Sequence, residues 1–332
     1  MFQSFLKRHN AAEWERTIAA LLPDIHEVDR NATQIWFRFF PLERAEALAE
    51  TDNPAQLVLA LRLEGNFRLA DQVDSSHWFL YGHRYWPFVK QAIIERAESQ
   101  GAPSSLNPAS VVREIANDAV RRVVDSRIRP KPEASLVVGI AAVGLMTLQQ
   151  VGLTAFRAGG SIDPPPRGVL AKSPEQIVAA RKKNDSQGIA GIFRGIRAQY
   201  TVTFDERRPD ARFTVINQQH LTTASANDTR DYSGATRGTV EGPIPAQCRT
   251  ASCGTCWVGI LGGMENVSEV DVHEQKRMKE FGYIDTPDPR PVIRLACQVV
   301  ASGNVTIVIP PWNGFIGKRK ESRGTSAAPQ PR

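Results

Sequence analysis

Four cysteines are the residues most able to do chemistry in this 332-residue chain. Cys248, Cys253 and Cys256 stand at C-x4-C-x2-C spacing in CRTASCGTCWVGIL, and Cys297 follows in RLACQ after a gap of 40 residues. The pattern uses every cysteine in the protein, so one centre accounts for all the thiols. Thiolates are soft, anionic donors suited to iron and sulfide, and three clustered ligands with one distant is the spacing of a four-thiolate [2Fe–2S] site. Structural zinc sites instead pair their ligands in two short knuckles, which makes zinc the weaker reading. A disulfide pairing is weaker still, and thiols in ligand spacing suit a reducing compartment. The loop has the composition to wrap a cluster. Gly254 permits backbone conformations closed to other residues, and Ala251, Ser252 and Thr255 are small enough for amides to approach the sulfurs. Arg249 is either a shield for one face or a solvated loop residue.

Strands are expected to hold this loop. QYTVTF, the polar turn DERRPD and RFTVI alternate as a hairpin does. LTTASAND reads as a short helix, and WVGIL (Trp257–Leu261) as the strand leaving the cysteine loop. Asp271 with Glu274 reads as a helix start and Gly282 as its stop, with RLACQVV and VTIVIP as the last two strands.

Strands around one helix, with a long irregular loop carrying CRTASCGTC, resemble the β-grasp [2Fe–2S] ferredoxins of the plant-type and bacterial group and the ferredoxin modules of reductases. RLACQ followed by a strand ending in IP is similar to the adrenodoxin-like branch. The resemblance covers residues 199–317 and implies an α+β fold, a C-terminal β-grasp ferredoxin-like domain preceded by a mostly α-helical region. It implies that Cys248, Cys253, Cys256 and Cys297 bind the metal of a [2Fe–2S] cofactor, and that the domain serves electron transport at low potential. The four-residue first interval is plant-type, whereas the 40-residue gap is nearer the adrenodoxin-like one. The helix that is an acidic docking face in the adrenodoxin-like proteins is here HEQKRMKE, with charges of both signs, so a strongly basic partner does not carry over.

Residues 1–130 read as mostly helical, without a role legible in the residues. Asn10 is placed to cap a helix over Ala11–Leu22 and Pro23 to stop it; Leu42–Ala49, Pro54–Leu63 behind Asn53, Pro87–Ser99 and Ala109–Asp125 continue the pattern. Thr33–Phe40 suits a strand or a buried helical turn equally. Ser75–Phe88 is rich in aromatics and reads as a core or docking patch; His77 and His83 lack a third ligand at metal spacing. Residues 134–156 contain no charge and are long enough to span a bilayer. Gly139, Gly144, Gly152, Gln149 and Gln150 fit close packing in a soluble core as well. Residues 159–198, with three consecutive prolines, read as a linker, and 318–332 as a disordered tail.

Net charge is +6. It lies in the first 200 residues and the tail, and 201–317 is slightly acidic. No basic run alternates with aromatics, so no nucleic-acid partner is expected. No G-x-G-x-x-G follows a strand, which argues against a self-contained flavin or nicotinamide reductase, and Gly188–Arg197 lacks the ending of a phosphate loop. The first residues lack a secretory signal. The expectation is a cytoplasmic electron carrier, membrane-associated if 134–156 spans, with the cluster on the cytoplasmic side and protein redox partners. An iron–sulfur subunit of a multi-component oxidoreductase or oxygenase and a redox-sensing regulator are the alternatives.

Overall fold

The structure is a computed structural model that describes residues 2–61, 63, 67–99, 107–124, 132–158, 172–182, 198–230, 242–281 and 287–310. Most of the 159–198 linker, the Gly282 helix stop and the 318–332 tail lie outside those residues. The chain divides into two compact units, 1–57 with 68–182 and 58–67 with 183–332.

The first unit is helical: α1 Phe2–Leu6, α2 Ala11–Leu21, α3 Glu27–Phe39, α4 Leu42–Glu50, the start of α5 Pro54–Ala60, α6 Trp86–Glu98, α7 Pro108–Val124, α8 Ser135–Ala158 and α9 Pro174–Lys182. Asn10 caps α2 through a full capping box. Its Oδ1 accepts from the Glu13 amide at 3.0 Å, and Glu13 Oε2 accepts from the Asn10 amide at 3.1 Å. Thr33–Phe40, ambiguous by periodicity, is the second half of α3, because Thr33, Ile35, Trp36 and Phe39 all turn inward at helical spacing. α9 lies inside the stretch read as linker, yet folds onto α3, with Arg181 donating to the Val28 carbonyl at 2.6 Å.

The uncharged segment is α8, and most of it is buried within the helical unit. Its mean hydropathy of 1.8 would suit a membrane span, but the residues from Leu136 to Leu148 are buried against α1, α2, α3, α4, α6 and α7. Gly144 is a close-approach position: a Cβ there would lie 2.6 Å from Ile93 and 3.0 Å from Trp86. The two glutamines fasten the end of the helix. Gln149 accepts from the Trp14 indole at 2.7 Å and donates to the His9 carbonyl at 2.8 Å, and Gln150 donates to the Phe40 carbonyl at 2.9 Å.

The aromatic stretch 75–88 is core. Tyr85, Trp86 and His77 are fully buried, and Asp74 accepts from the Trp86 indole at 2.7 Å and from Lys90 at 2.8 Å. His77 and His83 face each other with Nδ1 atoms 2.8 Å apart. His77 Nε2 lies 3.2 Å from the Val73 carbonyl, which only accepts, so that nitrogen carries the proton and His83 Nδ1–H donates to His77 Nδ1.

Two buried groups give this unit a pH dependence of opposite signs. Burial, and then His83, hold the His77 pKa well below its ordinary value. The unfolded chain therefore binds a proton below about pH 6.5 that the folded chain refuses, and stability is lost as pH falls. Asp29 is buried against the Tyr81 and Gly82 amides, which donate to it at 2.6 and 2.8 Å. Burial outweighs those bonds and raises its pKa to about 6. The folded chain therefore gains a proton on acidification before the unfolded chain does, and stability rises between about pH 6 and 4. Asp29→Asn removes that opposing contribution, on the order of 3 kcal/mol. Melting of the variant is expected to fall more steeply than wild type between pH 7 and 4.5; parallel profiles would contradict this.

The second unit is built on a mixed sheet of order β2-β1-β7-β4-β5, from β1 Gln199–Thr203, β2 Arg212–Ile216, β4 Trp257–Gly262, β5 Ile293–Leu295 and β7 Val305–Val308. β1 is parallel to β7, and the other pairs are antiparallel. A small second sheet pairs β3 Gln219–His220 with β6 Val300–Ala301. α10 Leu221–Ala226 and α11 Val272–Glu280 complete the unit, and the whole is the α+β, β-grasp arrangement. RLACQVV, expected as one strand, is a correction: β5 ends at Leu295, a turn follows, and Val300 enters the second sheet. The turn closes where the Gln298 amide donates to the Leu295 carbonyl at 2.8 Å.

Candidate iron–sulfur centre

Register brings the distant cysteine to the loop. Trp257 pairs with Leu295 and Val258 with Arg294, so Cys256 and Ala296 are opposed, and the Ala296 amide donates to the Cys256 carbonyl at 2.9 Å. Cys297 is the next residue. Its place on the turn, rather than within a strand, lets its sulfur reach the loop instead of following the pleat. Cys256 and Cys297 are buried, and Cys248 and Cys253 are half-buried.

The loop folds back on itself through left-handed residues. Arg249 (φ 57°), Ala251 (φ 59°) and Gly254 (φ 65°) all lie in the region that favours glycine. Two non-glycine residues there are costly, each on the order of 1–3 kcal/mol, and such cost persists where the surroundings fix it. It makes an anion nest, with successive amides turned toward one interior. The Thr250 amide donates to Cys248 Sγ at 3.4 Å and the Ala251 amide to Cys297 Sγ at 3.3 Å. The Thr255 hydroxyl lies 3.1 Å from Cys253 Sγ and accepts from the Gln247 amide at 3.2 Å. Gln298 adds a side-chain donor, its Nε2 lying 3.3 Å from Cys297 Sγ.

The thiols meet as two pairs. Cys253 stands beside Cys248 and influences its titration, and Cys297 does the same for Cys256. Among the described residues no three His, Cys, Asp or Glu side chains gather closely enough for one metal ion. Burial pushes the Cys248 thiol up, but the Thr250 amide and the Cys253 thiol outweigh it and bring its pKa down to about 6. Sharing a proton with Cys256 brings Cys297 to about 7. Both shifts favour the thiolate, the form that binds metal.

One supporting feature escapes a reading of the sequence. Asp271 caps α11, accepting from the Glu274 amide at 2.7 Å, but Glu274 does not reach back to the cap as its spacing suggests. It turns inward to a fully buried Arg294, with contacts of 2.9 and 2.7 Å, and also accepts from the Leu295 amide at 2.9 Å. Arg294 also donates to the Ser268 carbonyl at 2.7 Å. This network joins α11 to β5 just ahead of Cys297. The one signal in the sequence is a charge inside an apolar strand.

Residues 215–302 match the family model of the 2Fe-2S iron-sulfur cluster binding domain. No curated protein and no solved structure matches the chain. The second unit thus contains a [2Fe–2S] domain with an electron-transfer role, and domains of this kind pass electrons to partner proteins. His77 and His83, which lack a third ligand at metal spacing, lie beside each other in the helical core.

Proposed function

We propose that the chain is a one-electron carrier in which Cys248, Cys253, Cys256 and Cys297 hold the [2Fe–2S] cluster and the helical unit docks it to a partner. The observation that carries the ligand set is the β4–β5 register, which delivers Cys297 to a loop whose amides already point at sulfur. When bound, the cluster takes up and releases one electron. The chain's own residues set the conditions for that exchange. The four thiolates supply anionic donors. Burial of Cys256 and Cys297 keeps water from one side, and the amides of Thr250 and Ala251 stabilise negative charge on sulfur.

Gln298 belongs to the same group of donors. A hydrogen bond to sulfur favours the more negative, reduced state, so Gln298→Leu is expected to lower the reduction potential. The shift is on the order of 40 mV, taking about 1 kcal/mol for the bond and 59 mV per tenfold for one electron. Iron content should stay the same, and an unchanged potential in a spectroelectrochemical titration would contradict the assignment.

The docking role rests on the helical unit having its own core around α8, with a volume of structure that a simple carrier does not need. It equally favours a second reading, an iron–sulfur subunit of a multi-component oxidoreductase or oxygenase. We place the protein in a reducing, cytoplasmic setting because its thiols are in ligand spacing. Cross-linking of the full chain in native extract, followed by mass spectrometry, tests the docking role. Cross-links to a redox protein from residues 1–182 are expected, and cross-links from 198–310 alone would remove it.

A further inference from the structure

We infer that the helical unit meets its partner at a cavity between α2, α3 and α4, and that the occupant is a basic segment of the partner protein with one large apolar side chain as its anchor. The inference rests on the docking role proposed for this unit and adds a place and a chemistry to it. The cavity has a volume of about 230 Å³ and opens to solvent. Trp14 and Ile18 of α2, Phe37 of α3, Leu42 of α4 and Met146 of α8 line it, so it reaches from the surface to the core helix. The Trp14 indole N–H is taken up by Gln149, and its ring stands 6.1 Å from that of Phe37. What these side chains offer the cavity is aromatic and aliphatic carbon. Pockets that hold a whole small molecule run to about 300–1,000 Å³, so this one suits a single side chain. An apolar anchor seated in a pocket is where binding energy concentrates at a protein interface.

Charge at the mouth decides what surrounds the anchor. Glu15 and Arg38 form an ion pair of 2.9 Å there and cancel. Glu43 is left over: it lines the mouth, is exposed, and begins a row with Glu46 and Glu50. At 3.6 residues per turn the three carboxylates lie within about 60° of arc around α4, and all three are exposed. Like charges three and four residues apart repel, and none of the three has a cationic or hydrogen-bonding partner among the described residues. Burial, and then Glu50 and Glu43, raise the Glu46 carboxyl above its ordinary range. Arg44, the one basic residue of the helix, stands about 100° around the axis from Glu43 and is half-buried, with its Nη2 out of contact with solvent. In a chain of net charge +6 the row is a local excess of the opposite sign. Exposed carboxylates leading away from an apolar cavity match lysines or arginines that follow an apolar anchor, and such matching gives specificity and speed of encounter.

Dye-labelled synthetic peptides and the purified full-length holoprotein test the cavity and the charge separately. One peptide has a tryptophan followed by alternating alanine and lysine, a second has alanine in place of the tryptophan, and a third has glutamate in place of the lysines. By fluorescence anisotropy the first is expected to bind about tenfold or more tightly than the other two, and to weaken as ionic strength rises. Glu43→Gln with Glu46→Gln and Glu50→Gln should weaken it about tenfold and remove most of the salt dependence. Ala19→Trp, which puts an indole at the exposed edge of the cavity, should weaken it as well, while the cluster spectrum and the melting of the helical unit are kept. Equal binding of the peptides, no binding of the first, or wild-type affinity in the two variants would overturn this surface. The docking role would outlast that result if cross-links to a redox protein still come from residues 1–182, whereas cross-links from 198–310 alone would remove the role and the surface together.

Discussion

Cys297→Ser is expected to lose nearly all of its iron, while the helical unit melts as in the wild type. Cys297 is buried, accepts from the Ala251 amide and from Gln298, and sits where the β4–β5 register places it beside Cys256. A serine hydroxyl is close in size, so the turn after β5 has no steric reason to move. It is a hard, weakly acidic donor, however, and it cannot replace a thiolate for iron bound to sulfide. Changes in groups that merely orient a ligand weaken metal binding about 10–100-fold, and removal of the ligand should exceed that. Cys256→Ser should behave alike, since the two sulfurs form one pair. Iron per chain and the visible spectrum of protein made and purified without added iron provide the measurement. Wild-type iron content in Cys297→Ser would refute its role.

The second large effect is on the stability of the cluster domain. Arg294→Leu leaves Glu274 buried with the Leu295 amide as its remaining partner among the bonds of the pair. Removing one member of a buried ion pair costs about 3–5 kcal/mol, because the other charge stays out of water without compensation. Against a stability of about 5–15 kcal/mol for an ordinary domain, that is a large share. The cost should fall on the sheet that carries Cys297 and not on the helical unit, so calorimetry is expected to show an early transition split from an unmoved later one. Glu274→Leu with Arg294→Leu should lose less than either single change, since no unpaired charge is left, although the Leu295 amide still loses its acceptor. A double variant as unstable as the sum of the singles would contradict this account.

Much of the cluster domain was legible because its signals are local. Cysteine spacing, the hairpin of β1 and β2, the Asp271 cap and the short helix after β3 each depend on a few neighbouring residues. The turn at Cys297 was not legible: RLACQVV is apolar but for Arg294 and Gln298, and its break is imposed by β5 pairing with one sheet and β6 with another. Asp271 with Glu274 marked the helix start correctly, but that the Glu274 carboxylate goes to the buried Arg294 depends on a residue twenty positions away. α8 was ambiguous because length and hydropathy are the same for a membrane span and a core helix. Gln149 and Gln150 fasten its end, but their partners are His9, Trp14 and Phe40, more than a hundred residues away in the chain. The role of the helical unit was illegible for a different reason: Asp29, Asp74, His77 and His83 bond to groups within the unit and announce no chemistry.

The most direct measurement is electron paramagnetic resonance of the dithionite-reduced full-length protein, with iron and acid-labile sulfide counted on the same sample. The account predicts two irons and two sulfides per chain and one spin-half signal that integrates to one electron per chain. A colourless protein holding zinc on the same cysteines, with no signal after reduction, would contradict it.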